Sequence, residues 1–143
     1  MADDAKLQEL VAYEEIRRLA ADYAHGVDKR DRERFGSVWH EDSSWQPMPD
    51  GDWSKGREAI LATIDAIWGS VAETHHWTAN HSIRVNGDSA TGLADADCIM
   101  KTPDGSWFRV AATYEDEYER RDDHWGITRR TTVIHHQLGI AEP

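Results

Sequence analysis

Cysteine, long apolar runs and positive charge are all scarce in this sequence, and each shortage removes a class of answer. The one cysteine, Cys98, cannot close an internal disulfide, so the fold does not depend on an oxidising compartment. No stretch approaches the roughly 18 consecutive apolar residues that suggest a membrane span. The opening MADDAKLQEL is acidic and polar, unlike a secretory signal, so cytoplasmic residence is the expectation. With 16 Lys and Arg against 27 Asp and Glu, the formal charge is −11. That field repels nucleic acid and anionic membrane alike, and neither is an expected partner. Absent too are a GxSxG elbow, a glycine-rich phosphate loop, a dinucleotide fingerprint and an HExxH helix. The neighbouring pairs His75-His76 and His135-His136 point to opposite faces of a strand, so neither offers two ligands to one ion. Neither a metal nor a cofactor is expected.

What the chain does have is enough length for one domain with a real core, 143 residues, and a supply of large rings. Seven Trp, four Tyr and two Phe suit the walls of an apolar cavity and a small neutral or apolar guest.

Apolar residues recur at helical spacing from Leu7, Leu10 and Val11 through Ile16, Leu19, Ala20, Tyr23 and Val27, which predicts a helix over residues 5–29. A shorter helix over 31–39 follows, then an acidic turn at His40-Glu41-Asp42 and a strand starting at Trp45. Ile60, Leu61, Ile64, Ile67 and Trp68 restore the helical period, closed by Gly69 and Ser70. Beyond Glu73 the period becomes two. Strands are predicted to about Val85, over 90–100, 107–121 and 125–136, with turns at Asn86-Gly87-Asp88, Pro103-Asp104-Gly105 and Arg121-Asp122-Asp123-His124. Helices first and hairpins after, without βαβ alternation, give an α+β class: helices on one face of a curved, mostly antiparallel sheet. A sheet curved around a helix makes a cone, and an unfilled cone is a pocket.

The candidate chemistry starts at Asp28, the end of the first apolar stripe. It is either a solvated helix end, since residues 29–33 are all charged, or a pocket carboxylate that orients a histidine and strengthens it as a base. The available histidines are His75, His76 and His81. Strict alternation places His75 and His81 with Trp77 and Ile83 and sends His76 to the other face, unless a bulge intervenes. Arg129 and Arg130 occupy opposite faces of the last strand, and one of them can offer a donor fork to an anion. Cys98 reads as an apolar filler rather than a nucleophile.

Four segments then fall into a familiar order: GVDKR (26–30), SVWHEDSSW (37–45), ETHHWTAN (73–80) and TYEDEYERRDDHW (113–125). On these the chain resembles the SnoaL-like branch of the NTF2-like superfamily, and within it the hexachlorocyclohexane dehydrochlorinases and, more distantly, the scytalone dehydratases. The resemblance implies a cone-shaped α+β barrel with an internal pocket, usually in a homo-oligomer such as a dimer or trimer, and a lyase working without a cofactor. It places an Asp–His dyad on Asp28 and His76 and a pocket arginine on Arg130, with Tyr23, Trp45, Cys98 and Tyr114 as pocket lining. His76 would take a proton from carbon on a small, largely apolar cyclic substrate, and Arg130 with Tyr23 would steady the departing halide or hydroxide. Two positions depart from the pattern: Tyr23 replaces a polar or basic pocket residue of the dehydrochlorinases, and Ala94 replaces the second histidine of the scytalone dehydratases. A non-catalytic binding or assembly module, and an isomerase or carbon–carbon lyase using the same dyad, are the alternatives.

Overall fold

A computed structural model describes residues 1–143. The chain runs α1 (Ala2–Asp28), α2 (Arg32–Ser37), β1 (Trp39–Gln46), β2 (Ser54–Lys55), α3 (Arg57–Ser70), β3 (Glu73–Asn86), β4 (Ser89–Lys101), β5 (Trp107–Arg121) and β6 (His124–Ile140). The six strands form one sheet in the order β2-β1-β6-β5-β4-β3. Every neighbouring pair is antiparallel except β1 with β6. This is the expected α+β architecture, with the helices against the inner face of a mixed sheet.

In α1 the residues Ala12, Ile16, Leu19, Ala20, Tyr23, Ala24 and Val27 are buried, one stripe at intervals of three and four. The first turns depart from the expectation. Leu7, Leu10 and Val11 carry the same period but stay exposed, and Leu7 and Val11 line an open groove between the helix and Val85, Arg120 and Trp125 of the sheet. Tyr13 donates its hydroxyl to the carbonyl of Ile83, fastening the middle of α1 to β3.

The second correction lies just beyond. The short helix stops at Ser37, not 39, and His40-Glu41-Asp42 belongs to β1 rather than to a turn. Val38 and Trp39 leave the helix because β6 holds them: the Ile127 amide donates to the Val38 carbonyl at 2.8 Å, and Trp39 pairs with Ile127. Trp39, Ser43 and Trp45 share the inner face by alternation, while the pairing with β6 is irregular between Trp39 and Ser44. The last strand likewise runs to Ile140, past the expected end at residue 136.

Tyr23, Phe35, Trp39 and Trp45 meet in the centre, their ring centroids 5.5–6.2 Å apart and mostly tilted or edge-on. Gly26 lets α1 reach this cluster. A Cβ there would lie 2.7 Å from the backbone nitrogen of Phe35 and 2.8 Å from its Cα. Asp31 caps α2 by accepting from the Arg34 amide at 3.0 Å, so the turn between the helices is fixed from both sides.

Gly26→Ala therefore sets helix propensity against a backbone collision. Propensity alone would gain about 1 kcal/mol, whereas overpacking against backbone costs about 1–3 kcal/mol. A lower urea midpoint, with the slope unchanged, is the expected result. A raised midpoint would mean that the two helices separate without cost.

Candidate active site

Asp28 is the last residue of α1, and its carboxylate meets the start of β3 instead of solvent. Oδ1 accepts from the Thr74 hydroxyl at 2.9 Å and from Nδ1 of His76 at 2.6 Å, while Oδ2 accepts from the His76 amide at 2.7 Å. Burial by itself would raise the carboxyl's pKa. Hydrogen bonds from His76, the attraction of its ring and the Thr74 hydroxyl outweigh that and hold Asp28 below the usual carboxylate range. An ionised carboxylate only accepts, so Nδ1 of His76 carries a proton, and in the neutral ring it is Nε2 that has the lone pair. The two side chains are largely sealed, with 15% of Asp28 and 8% of His76 exposed.

Alternation alone selects the wrong histidines for this position. Thr74, His76 and Thr78 are the inward residues of the first half of β3, and His75 and Trp77 face outward. His75 bonds Glu73, and Trp77 is 60% exposed. The pairing with β4 then slips between Ala79 and Ser82, where Asn80 takes a positive φ of 54°. This bulge reverses the alternation, so His81, Ile83 and Val85 turn inward beyond it. The irregularity lies in the middle of the strand, and extending the phase of Ile83 back across it misplaces every earlier residue.

His76 opens onto a cavity of about 350 Å³ near the end of α1, walled largely by apolar groups. Tyr23, Trp45, Cys98 and Tyr114 all line it, with Thr132 and Gln137 among its few polar contributors. Larger hollows elsewhere are shallow surface grooves away from the dyad. Burial first, then the negative charges of Asp28 and Asp97, push the Cys98 thiol up to about 12, so it stays protonated and offers no thiolate. No three His, Cys, Asp or Glu side chains converge anywhere to make a ready metal site.

Arg130 takes a less direct place. It is fully buried and is not part of the cavity wall. Its Nε and one terminal nitrogen donate to the two oxygens of Asp116, both at 2.8 Å. Its guanidinium carbon lies 4.3 Å from the ring centre of Tyr23 and 4.1 Å from that of Tyr114. Tyr118 donates to the same carboxylate at 2.7 Å. Burial would lower the arginine's pKa, but Asp116 more than reverses that, and Arg130 stays a cation. Asp116 was not picked out from the sequence, although strand periodicity puts it between Tyr114 and Tyr118 on the inner face. Arg129 points the other way and stacks on Trp53 at 4.6 Å.

A SnoaL-like domain model matches residues 8–131. The chain belongs to the SnoaL-like family. Within that family it is 30% identical over 137 residues to hexachlorocyclohexane dehydrochlorinase 1 of Sphingobium indicum, an alignment covering 94% of this chain and 89% of that protein. The gamma-hexachlorocyclohexane dehydrochlorinase of the same species is 27% identical, over 94% and 88% of the two chains. The crystal structure of a type 2 hexachlorocyclohexane dehydrochlorinase superposes with a TM-score of 0.89 at 29% identity, over 95% of this chain and 93% of that one. A scytalone dehydratase-like protein of Novosphingobium aromaticivorans shares the fold, with a TM-score of 0.85 at 21% identity over 100% and 94%. No helix of this SnoaL-like chain is long and apolar enough to cross a membrane.

Two outcomes follow for stability. Arg130→Met strands the Asp116 carboxylate in the interior, and losing one partner of a buried pair costs about 3–5 kcal/mol, which urea unfolding will show. His81 supplies the second. Burial first, then the cations Arg17 and Arg130, lower its pKa against the opposing pull of Asp116, and its buried Nε2 has no partner. A depressed histidine takes its proton only on unfolding, so its contribution is complete above about pH 6.5 and is lost as pH falls through the folded value. Unfolding free energy should drop between pH 7 and pH 5, and His81→Gln should flatten that part of the profile. Asp28, also depressed, acts in a lower window, below the ordinary aspartate range.

Proposed function

We propose that this protein is a cofactor-independent lyase that removes a proton from carbon in a small, largely apolar cyclic substrate and expels a neighbouring group. The observation that carries this reading is the Asp28–His76 contact at 2.6 Å beside an apolar cavity. The likeness to dehydrochlorinases, at 30% identity over nearly the whole chain, agrees with it.

Nε2 of His76 is the base. Asp28 holds the Nδ1 proton, which fixes the tautomer and aims the ring, and the carboxylate then faces the imidazolium that forms. The attraction between the two charges grows where water is excluded, so the pair is worth more in this cavity than on a surface. Thr74 and the His76 amide keep the carboxylate from turning to another partner. The electron pair from the broken C–H bond forms the new double bond and displaces the leaving group.

Positioned base catalysis is typically worth about 10²–10⁴-fold. Chloride release from γ-hexachlorocyclohexane and water loss from ring β-hydroxy ketones, measured side by side, provide the assay. For whichever substrate turns over, His76→Ala and Asp28→Asn should each lower kcat/KM by at least about a hundredfold with circular dichroism unchanged. Losses under about tenfold in both, or binding of such compounds without turnover, would end the dyad reading and leave a ligand-binding module.

A further inference from the structure

Within the elimination chemistry proposed above, on which this inference rests, we infer that the leaving group is an oxygen: Tyr23, supported by Tyr114, gives its hydroxyl proton to a departing hydroxyl, and the substrates are ring alcohols.

The cavity wall decides this through charge. No lysine or arginine lines the cavity. The one cation nearby, Arg130, lies behind the wall with its fork turned to Asp116. A halide would depart as an anion into a mostly apolar space whose one new cation, the His76 imidazolium, is already paired with Asp28, and a charge without a partner of its own there is costly. Water departs neutral, provided something protonates it. Tyr23 and Tyr114 both line the cavity with rings 5.5 Å apart, and Tyr23 sits edge-on to His76 at 6.2 Å. Tyr118 donates its hydroxyl to Asp116, but neither cavity tyrosine donates to a carboxylate or a backbone carbonyl. The Tyr114 hydroxyl instead donates to the Tyr23 oxygen, which Arg130 also bonds, so the proton left for the guest is that of Tyr23.

Burial keeps both tyrosines protonated at neutral pH. A phenol is by its chemistry a stronger acid than water, which favours proton transfer to a departing hydroxide. The steps balance. His76 takes the proton from carbon, the C–O bond breaks as the C=C bond forms, and the Tyr23 proton completes a water molecule. The phenolate left on Tyr23 lies over Arg130, whose guanidinium carbon is 4.3 Å from the ring centre. Return of the proton from the imidazolium to the phenolate restores the site. Nothing else is consumed.

The test compares 2-naphthol with 2-chloronaphthalene, two bicycles that differ only in the group in question, by calorimetric titration of the intact chain. The chloro compound is the more apolar, so an undifferentiated greasy cavity prefers it. The expected result is the reverse, with 2-naphthol binding at least about tenfold more tightly. Tyr23→Phe and Tyr114→Phe should each remove most of that preference while changing the 2-chloronaphthalene affinity by less than about twofold. Equal affinities, a preference for chlorine, no measurable 2-naphthol binding, or a ratio unmoved by both replacements overturns the assignment. The ratio involves no proton removal from carbon, so it stands or falls apart from the effect of His76→Ala on turnover.

Discussion

One carboxylate joins the two halves of this molecule. Asp28 ends the first helix and, through three donors, takes hold of the first long strand of the sheet. Without those donors a half-buried carboxylate at a helix end would turn to water or take up a proton. With them it stays ionised and fixes where the strand begins, which way His76 faces and which of its nitrogens remains basic. Structure and candidate chemistry come from the same contacts, so Asp28 is a weak point for both.

The second charged centre, Arg130 with Asp116, stands deeper. Such a pair is poor evidence for stability, since taking two charges out of water offsets much of their attraction. Its position is more informative. It puts a permanent cation under two phenol rings that face the cavity. A guest therefore meets a polarised hydroxyl and not a bare guanidinium. The site has two poles of different kinds: an imidazole held by an acid, and phenols backed by a base that cannot lose its proton.

Much of the fold was legible in the residues. The helical period of Ile16 to Val27, the change to period two after Glu73, and the turn residues at 86–88 and 103–105 are local properties, and they place most elements within a few residues. The misses all came from partners distant in sequence. Val38 and Trp39 follow a helix-like run but pair with β6, and Leu7, Leu10 and Val11 keep the helical period although the groove between helix and sheet stays open there. Nothing local singles out Asp116 as the partner of Arg130, although its place between Tyr114 and Tyr118 marks it as inward.

The amino-acid order by itself determined the class of fold, because periodicity and turn chemistry belong to short stretches of chain, and it carries the segments by which the chain resembles its family. It did not determine which histidine faces the cavity. That was decided at Asn80, where an extra residue in the pairing with β4 inverts the alternation and puts His76 and His81, five residues apart, on the same side. Nor did it determine that Arg130 would be matched with Asp116 behind two tyrosines. Both outcomes depend on which residues the sheet brings side by side, a property of register and burial that no single segment carries.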